Sequence, residues 1–321
     1  MEITLNLLAI AGGLALLVWS AERFVTASAD LASRYSVPPL LIGMVIIGFG
    51  TSTPEMMVSA FAALEGNPGL ALGNAYGSNI ANIALILGVT AVICPIAVHS
   101  AVVRKEVPIL LAVTGLSLFL VLDGQLTRSD AIVLLGVFAA LLAWSVYEGS
   151  RNRIDPMGHE MQEELGDRTT SSSKAILTIG VGLLVLIASS RLLVWGAVEL
   201  AGQFGVPDLV IGLTIVAVGT SLPEFAASVT AARRGHADMA LGNVLGSNLF
   251  NTLAVVGLAG VISPIDVPIE VINRDLPIVA LITFALLIAC LGFKQRAGRI
   301  NRTEGACLVT AFIAYTAWLV I

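Results

Sequence analysis

The chain of 321 residues is 57% hydrophobic and only 12% charged, and its mean hydropathy is +0.92. This composition excludes a water-soluble globular domain and indicates a chain that is solvated largely by lipid. The 17 basic and 22 acidic residues give a formal net charge of −5, which by itself indicates no binding partner.

Ten apolar stretches of about twenty residues follow one another along the chain, and each is long enough to cross a hydrocarbon core of roughly 30 Å. They cover residues 4–23, 37–63, 70–93, 107–123, 130–148, 175–200, 207–232, 239–262, 276–293 and 305–321. Because backbone polar groups cannot stay unpaired in lipid, we expect these stretches to be helices. The predicted fold is an all-α polytopic membrane protein with ten transmembrane helices. The first stretch is too long for a cleaved signal peptide and lacks a basic leader, so we expect it to be retained.

The basic residues predict the orientation of these helices. One set of alternate loops carries 13 Lys or Arg residues, whereas the other set carries only Arg128 and Arg274. The 13 are Arg34, Arg104, Lys105, Arg151, Arg153, Arg168, Lys174, Arg233, Arg234, Lys294, Arg296, Arg299 and Arg302. The positive-inside rule makes their side cytoplasmic. We therefore expect an integral plasma (inner) membrane protein with both termini outside the cytoplasm.

The chain consists of two similar halves, residues 1–149 and 175–321, joined by a polar linker at 150–174 that we expect to be cytoplasmic. Identical residues recur 169 positions apart, as in 224 − 55 = 169. The pairs include Gly43 and Gly212, Gly50 and Gly219, Pro54 and Pro223, Glu55 and Glu224, Ser59 and Ser228, Gly73 and Gly242, Asn74 and Asn243, Gly77 and Gly246, Ser78 and Ser247, Asn79 and Asn248, Asn82 and Asn251, and Gly88 and Gly257. Five spans per half is an odd number, so the second half enters the membrane inverted. Inverted five-helix repeats are typical of secondary transporters, whose substrate sites lie near the midplane.

Each half places a glutamate, Glu55 or Glu224, inside an apolar stretch, in the motifs GTSTPE and GTSLPE. A carboxylate at the bilayer centre costs at least about 2.5 kcal/mol, so it indicates a functional site. Pro54 and Pro223 lack a backbone N–H, which predicts a kinked or interrupted helix with unpaired carbonyls beside each carboxylate. Such backbone is tolerated at membrane depth only where it lines a cavity or holds something polar.

Further oxygen donors recur at a spacing of four residues on two neighbouring stretches, so each set shares one helical face. The sets are Thr51, Glu55 and Ser59 on one stretch, and Asn74, Ser78 and Asn82 on the next. The short turn EGNPG between the stretches predicts an antiparallel pair. Carboxylate, hydroxyl, amide and carbonyl oxygens suit a hard cation such as Ca²⁺ or Na⁺. The three Cys and three His residues are scattered and indicate no soft-metal site.

The motif GTSTPE with GNAYGSNIAN, and GTSLPE with GNVLGSNLFN, resemble the two alpha-repeats of the calcium/cation antiporter superfamily, in particular its prokaryotic sodium/calcium exchangers. The resemblance covers essentially the whole chain. It implies exchange of Ca²⁺ for Na⁺ without a cofactor, by alternating access at a midplane site where the two glutamates bind Ca²⁺. Spans 1 and 6 would move across that site. The ligands that it implies are Glu55, Glu224, Thr51, Ser52, Ser78, Asn82, Thr220, Ser221, Ser247 and Asn251, with backbone carbonyls of Gly48 and Ala217.

One position bears on which ions are carried. Some exchangers of this superfamily, including the potassium-dependent branch, have Asp where this chain has Asn251. The match of Asn251 to Asn82 leaves two central carboxylates, which argues against potassium dependence. The expected partners are therefore Ca²⁺, Na⁺ and the lipid bilayer, with no nucleic acid and no obligate protein partner evident.

The residues alone leave other functions open. The same fold could couple Ca²⁺ to H⁺, because glutamates can exchange a cation for protons. A passive channel accounts less well for the inverted duplication. An intramembrane enzyme that uses Ser52 or Ser221 as nucleophile lacks an intramembrane His or Lys to act as base.

Several small and polar residues have structural interpretations as well. Small residues are enriched where membrane helices pack, so we expect packing roles for Gly43, Gly73, Gly77, Gly88 and their counterparts. We expect Asn74, Asn79, Asn243 and Asn248 to bond helix to helix. For Ser59 and Ser228, packing and ligation both remain open.

Overall fold

The computed structural model describes residues 2–34, 48–98, 101–151, 172–291 and 298–320, which are largely helical. The helices of the first half are α1 Glu2–Arg34, α2 Gly48–Thr51, α3 Thr53–Leu64, α4 Pro68–Ile80, α5 Gly88–Ile93, α6 Ala101–Leu120 and α7 Arg128–Arg151. Those of the second half are α8 Ser172–Phe204, α9 Asp208–Ile211, α10 Ala217–Thr220, α11 Leu222–Arg233, α12 Ala237–Phe250, α13 Val256–Ile262, α14 Leu276–Leu291 and α15 Arg302–Val320. Wider π-helical turns are π1 Ala81–Leu87, π2 Gly212–Val216, π3 Asn251–Val255 and π4 Val271–Asp275, and short strands are β1 Ile96–Ala97, β2 Gln125–Leu126, β3 Ile265–Asp266 and β4 Arg299–Ile300.

The helix bounds depart from the predicted stretches mainly at the two long helices. α1 extends to Arg34 rather than ending near residue 23, and α8 covers Ser172–Phe204 rather than 175–200. Polar residues such as Glu22 and Asp30 do not end α1, because its backbone bonds are internal and the helix packs along its length against α8. The ends of the predicted linker are also helical, and its residues 152–171 lie outside the described residues.

By length and composition, six helical segments of the described residues are long and apolar enough to cross a membrane. A seventh is counted if the pair 208–220 and 222–233, which bends by 44°, is one span. The segments are 3–28, 68–93, 128–147, 172–204, 237–262 and 271–290. The predicted span at 37–63 lies partly outside the described residues, and α6 begins with Arg104, Lys105 and Glu106, which shorten its apolar part.

The long helices α1 and α8 pack against each other in an antiparallel pair. A Cβ on Gly13 would lie 3.0 Å from the backbone nitrogen of Leu193, and a Cβ on Gly182 would lie 3.2 Å from the Cβ of Phe24. The glycines thus permit close approach of the two backbones. These contacts are equivalent when the halves are exchanged, because 182 − 13 and 193 − 24 both equal 169. This is the relation that an inverted duplication predicts.

Two short antiparallel strand pairs also join one half to the other. β1 pairs with β4 and places Ile96 opposite Ile300, while β2 pairs with β3 and places Leu126 opposite Ile265. All four side chains are buried. A single helix, α6, separates β1 from β2, so the two strand pairs lie at opposite ends of that helix, about 30 Å apart at 1.5 Å per residue.

Helix α4 crosses the start of the broken helix of the second half at a glycine contact. A Cβ on Gly73 would lie 2.5 Å from the carbonyl oxygen of Leu209, and a Cβ on Gly212 would lie 2.7 Å from that of Leu70. A Cβ on Gly88 would lie 2.9 Å from the side chain of Val309 on α15, and a Cβ on Gly257 would lie 2.9 Å from the side chain of Leu135 on α7. The packing role predicted for Gly73, Gly77, Gly88, Gly212 and Gly257 is confirmed. The same prediction is wrong for Gly246, because a Cβ there would lie in open space, and Gly43 lies outside the described residues.

Candidate cation site

The helix breaks predicted at the two prolines are present. Ser52 separates α2 from α3 with φ −85° and ψ 1°, and Ser221 separates α10 from α11 with φ −84° and ψ 6°. Each following helix begins with the proline in its first turn, where a missing N–H costs no helical bond. The first turns also contain Glu55 and Glu224. Their carboxylates therefore lie at helix N-termini, where the helix dipole favours negative charge.

The two glutamates are fully buried, and each accepts a hydrogen bond from the opposite half. The Oγ of Ser221 donates to Glu55 Oε1 at 3.2 Å, and the Oγ of Ser52 donates to Glu224 Oε1 at 3.5 Å. Ser247 donates a further bond to Glu224 Oε1 at 3.0 Å. Because the serine of each half bonds the glutamate of the other half, the two motifs lie against each other and line one candidate site.

The second oxygen of each carboxylate has no partner in the part of the chain that the structure describes. Glu55 Oε2 and Glu224 Oε2 are buried and accept no hydrogen bond within the described residues. Nor does either glutamate form a salt bridge with a described basic residue. The carboxylates lie close enough for Glu224 to act electrostatically on Glu55. Two buried, mutually repelling carboxylates require a compensating cation or proton, because unpaired buried charge is costly.

Hydroxyl and carbonyl oxygens line the remainder of this site. Ser78 Oγ lies 3.4 Å from the carbonyl oxygen of Ala217 and 3.5 Å from Thr220 Oγ1. Thr220 lies beside Glu55, and Thr51 lies in the same relation to Glu224. These groups, together with the carboxylates, form an all-oxygen set of the kind that hard cations prefer.

Side-chain contacts connect most of the predicted ligands across the two halves, whereas Asn251 has no hydrogen-bond partner within the described residues. None of the predicted ligand side chains is more than 4% exposed: Thr51, Ser52, Glu55, Ser78, Asn82, Thr220, Ser221, Glu224, Ser247 and Asn251. Ala217 is buried as the first residue of α10, and Gly48 is the first residue of α2.

Asn74 and its counterpart Asn243 bond helix to helix in equivalent ways. Asn74 Nδ2 donates to the carbonyl oxygen of Glu55 at 3.1 Å and to Ser59 Oγ at 2.9 Å. Asn243 Nδ2 makes the same contacts with Glu224 and Ser228, at 3.5 and 3.3 Å. The predicted interhelical role is confirmed for both asparagines. The serines each also donate to a backbone carbonyl of the next helix.

Asn82 and Asn251 lie in matching π-helical turns, π1 and π3. Such turns are rare and recur at functional sites, since they shift side chains relative to a regular helix. No residue pattern in the sequence predicted them. No feature of the sequence pointed to Thr252, which accepts a hydrogen bond from Asn79 Nδ2 at 2.7 Å. Its counterpart 169 positions earlier is Ile83, so the repeat itself gave no signal.

The fold is that of a helical membrane protein, and it contains a buried candidate site lined by oxygen atoms. A family model described as sodium/calcium exchanger protein matches residues 5–147 and 174–321. The protein named "Putative antiporter CaxA" of Alkalimonas amylolytica is 45% identical to this chain, and the match covers 94% of this chain and 95% of that one. Inner membrane protein YrbG of Escherichia coli strain K12 is 38% identical over 96% and 94%. Sodium/calcium exchanger MaX1 of Methanosarcina acetivorans is 30% identical over 98% of both chains.

A solved structure of the sodium-calcium exchanger NCX_Mj, soaked with 2.5 mM Na⁺ and 10 mM Sr²⁺, is similar to this chain with a TM-score of 0.68. The two are 30% identical, and the match covers 98% of this chain and 99% of that one. The chain belongs to the sodium/calcium exchanger protein family. It is thus a membrane protein of an antiporter family that transports ions, and the resemblance drawn from its motifs is confirmed.

Proposed function

We propose that this protein exchanges Ca²⁺ for Na⁺ at one site between Glu55 and Glu224. The observation that carries the proposal is the pair of buried carboxylates. Each has one oxygen bonded across the halves and one oxygen without a partner among the described residues. Hydroxyls and the Ala217 carbonyl surround the pair and supply neutral ligands for either ion. The names of MaX1 and NCX_Mj describe those relatives as sodium/calcium exchangers, which favours Na⁺ as the coupling ion.

Charge balance explains why Ca²⁺ and Na⁺ would compete for the site. Two ionised glutamates neutralise one Ca²⁺, so a loaded site has little net charge to keep in a low dielectric. Three Na⁺ at the same carboxylates leave one positive charge, so a three-for-one exchange moves charge across the membrane. Each charge is worth about 2.3 kcal/mol per 100 mV. With an inward Na⁺ gradient the expected direction in the cell is Ca²⁺ efflux.

The transport mechanism that we propose is alternating access in a ten-span protein of two inverted five-helix repeats. The antiparallel packing of α1 on α8 supports the inversion, as do the paired strands that join loops of opposite halves. These long helices are the elements proposed to slide across the site. The segments that would connect them to the core include 35–47, which lies outside the described residues. The protein is proposed to lie in the inner membrane with both termini outside the cytoplasm.

An exchange of Ca²⁺ for H⁺ is the second candidate. The unpartnered carboxylate oxygens favour it as well, because protons compensate buried carboxylates as cations do. The hydroxyls beside both glutamates are neutral ligands that Na⁺ needs and a proton does not, and they favour the first candidate.

Radioactive Ca²⁺ uptake into proteoliposomes separates these functions. One set of vesicles containing the purified protein would be loaded with Na⁺ and diluted into Na⁺-free medium, which creates an outward Na⁺ gradient. A second set would be loaded with acidic buffer and diluted into medium of higher pH, which creates an outward H⁺ gradient. Uptake that requires Na⁺ and is lost in Glu55→Gln supports Na⁺/Ca²⁺ exchange. Glu270→Gln, at an exposed glutamate, is the matched control and should leave uptake unchanged.

Each other outcome points elsewhere. Uptake driven only by the proton gradient would replace the proposal with Ca²⁺/H⁺ exchange on the same fold. Uptake that needs no opposing gradient would indicate a channel.

A further inference from the structure

A run of amide hydrogen bonds connects the α4–π1 segment of the first half with α12 of the second half. It begins at the main-chain carbonyl of Asn79, which accepts from Asn248 Nδ2 at 3.2 Å. A carbonyl oxygen can only accept, so the Asn248 side chain must present its NH₂ group there. All residues of the run are buried.

This anchor determines the orientation of the next amide. With its NH₂ group directed to Asn79, Asn248 presents Oδ1 to Asn82, whose Nδ2 donates to it at 2.9 Å. Asn82 Nδ2 also donates to Ser247 Oγ at 3.2 Å. Both amide hydrogens of Asn82 are then used. A flipped Asn82 would place two acceptor oxygens against each other.

The remaining atom of Asn82 is its carbonyl oxygen. Asn82 Oδ1 is buried and has no hydrogen-bond partner within the described residues. The Asn82 amide is connected to the candidate ligand Glu224 through a single hydroxyl, because Ser247 Oγ accepts from Asn82 Nδ2 and donates to Glu224 Oε1. An oriented, unpartnered oxygen beside a carboxylate is suited to a hard cation.

The equivalent amide of the second half is not oriented in this way. Neither Nδ2 nor Oδ1 of Asn251 has a hydrogen-bond partner within the part of the chain that the structure describes. By the repeat, Asn79 would orient Asn251 as Asn248 orients Asn82. Instead Asn79 Nδ2 donates to Thr252 Oγ1 at 2.7 Å, and Thr252, which in turn donates to the carbonyl oxygen of Asn248 at 2.9 Å, stands between Asn79 and that carbonyl. Asn79 Oδ1, the atom that would accept from Asn251, has no partner within the described residues. Ile83, at the position equivalent to Thr252, has no hydroxyl that could intervene in the same way.

We propose that Asn248 is a positioning residue that holds Asn82 with its carbonyl oxygen ready to ligate the transported cation, and that Thr252 withholds the same support from Asn251. The inference rests on the proposed function, in that both asparagines belong to the ion site. The two halves then contribute unequal ligands, one fixed amide oxygen and one amide free to rotate. A fixed ligand binds more tightly, since less ordering remains to be done on binding.

A double-mutant cycle tests this role, with equilibrium binding of Ca²⁺ to the purified full chain measured by calorimetry. Asn248→Leu should raise the Ca²⁺ Kd about three- to tenfold, as expected for the loss of one orienting hydrogen bond. In an Asn82→Ala background the same change should raise Kd less than twofold, because the oxygen that it orients is gone. Equal effects in both backgrounds would show a merely structural role and overturn the proposal.

A second variant keeps the proposal falsifiable if Asn248→Leu does not fold. Thr252→Val removes the hydroxyl that engages Asn79 and should lower the Ca²⁺ Kd severalfold by letting Asn79 orient Asn251. Thr283→Val is the matched control, because Thr283 is buried and likewise donates to a carbonyl four residues earlier, on α14. An unchanged Kd in Thr252→Val, or an equal decrease in the control, would refute the assigned asymmetry.

The same measurements distinguish this proposal from the proposed function. If the wild-type chain binds Ca²⁺ but shows no Na⁺-driven uptake, then Na⁺/Ca²⁺ exchange fails while the cycle still decides the role of Asn248. If uptake is driven by Na⁺ and the cycle is additive, the exchange function stands and the positioning role is wrong.

Discussion

Replacing Glu55 with Gln is the sharpest perturbation of the site, because it removes a charge and keeps the shape. The Gln carbonyl oxygen can still accept the hydrogen bond that Ser221 donates to Glu55 Oε1. The change therefore isolates the carboxylate charge from the local packing. With Glu224 alone remaining, a bound Ca²⁺ would leave one net positive charge in a fully buried site.

The size of the effect follows from that uncompensated charge. Removing one partner of a buried charge pair costs about 3–5 kcal/mol. At about 1.4 kcal/mol per tenfold change, this corresponds to a Ca²⁺ Kd raised at least about 100-fold. The protein without Ca²⁺ should not be destabilised, because the variant relieves the repulsion between Glu55 and Glu224 and removes one desolvated charge.

Two assays check this prediction in parallel. Calorimetric titration gives the Ca²⁺ Kd, and thermal unfolding in the absence of Ca²⁺ gives the stability of the variant. Glu270→Gln is a control at an exposed glutamate, and it should change neither quantity measurably. A Ca²⁺ Kd for Glu55→Gln within threefold of the wild-type value would refute the assignment of Glu55 as a ligand. A large loss of thermal stability would show instead that the carboxylate supports the fold.

Three further predictions concern charge movement, packing and topology. In Na⁺-loaded vesicles, an inside-positive potential of 100 mV should raise the Ca²⁺ accumulation limit roughly 50-fold if three Na⁺ leave per Ca²⁺, and an unchanged limit would exclude net charge movement. Gly73→Val should destabilise the protein by about 1–3 kcal/mol in thermal unfolding, because a Cβ would lie 2.5 Å from the Leu209 carbonyl oxygen, whereas Gly136→Val, with open space around it, should not. Cysteines at the paired positions Ile96 and Ile300, in a background without native cysteines, should form a disulfide, and failure to cross-link would contradict the β1–β4 pairing.

Much of this architecture could be predicted from the sequence, because it depends on local chemistry. Apolar segments must be helical in lipid, and a proline must interrupt a helix at the bonds that it cannot make. The break at Ser52 and the buried position of Glu55 follow from these two rules, as does the antiparallel pairing of α3 with α4 across a three-residue turn at which Gly66 adopts a φ of 77°. The constant separation of 169 positions further predicted that the second half would repeat these features. The break at Ser221, which corresponds to the break at Ser52, is one such repeat.

Only the tertiary structure decided which groups meet across the two halves. The bonds from Ser221 to Glu55 and from Ser52 to Glu224 join residues far apart in the sequence, so they depend on how the two halves pack rather than on local propensity. Packing also decided that Asn74 serves as an interhelical contact while Asn82 keeps a free oxygen, although both are asparagines on one predicted helical face.

The departure from twofold symmetry was likewise beyond the sequence pattern. The repeat predicts equivalent roles for Asn82 and Asn251, yet Asn79 donates to the hydroxyl of Thr252, and neither Asn79 Oδ1 nor the Asn251 amide has a partner within the described residues. A single buried hydroxyl has this effect because amides in a water-excluded core have few alternative partners, so one added donor and acceptor redirects the neighbouring bonds. The helices, their duplication and the oxygen-rich character of the candidate site can thus be predicted from the residue pattern, whereas the orientation of those oxygen atoms depends on how the two halves pack.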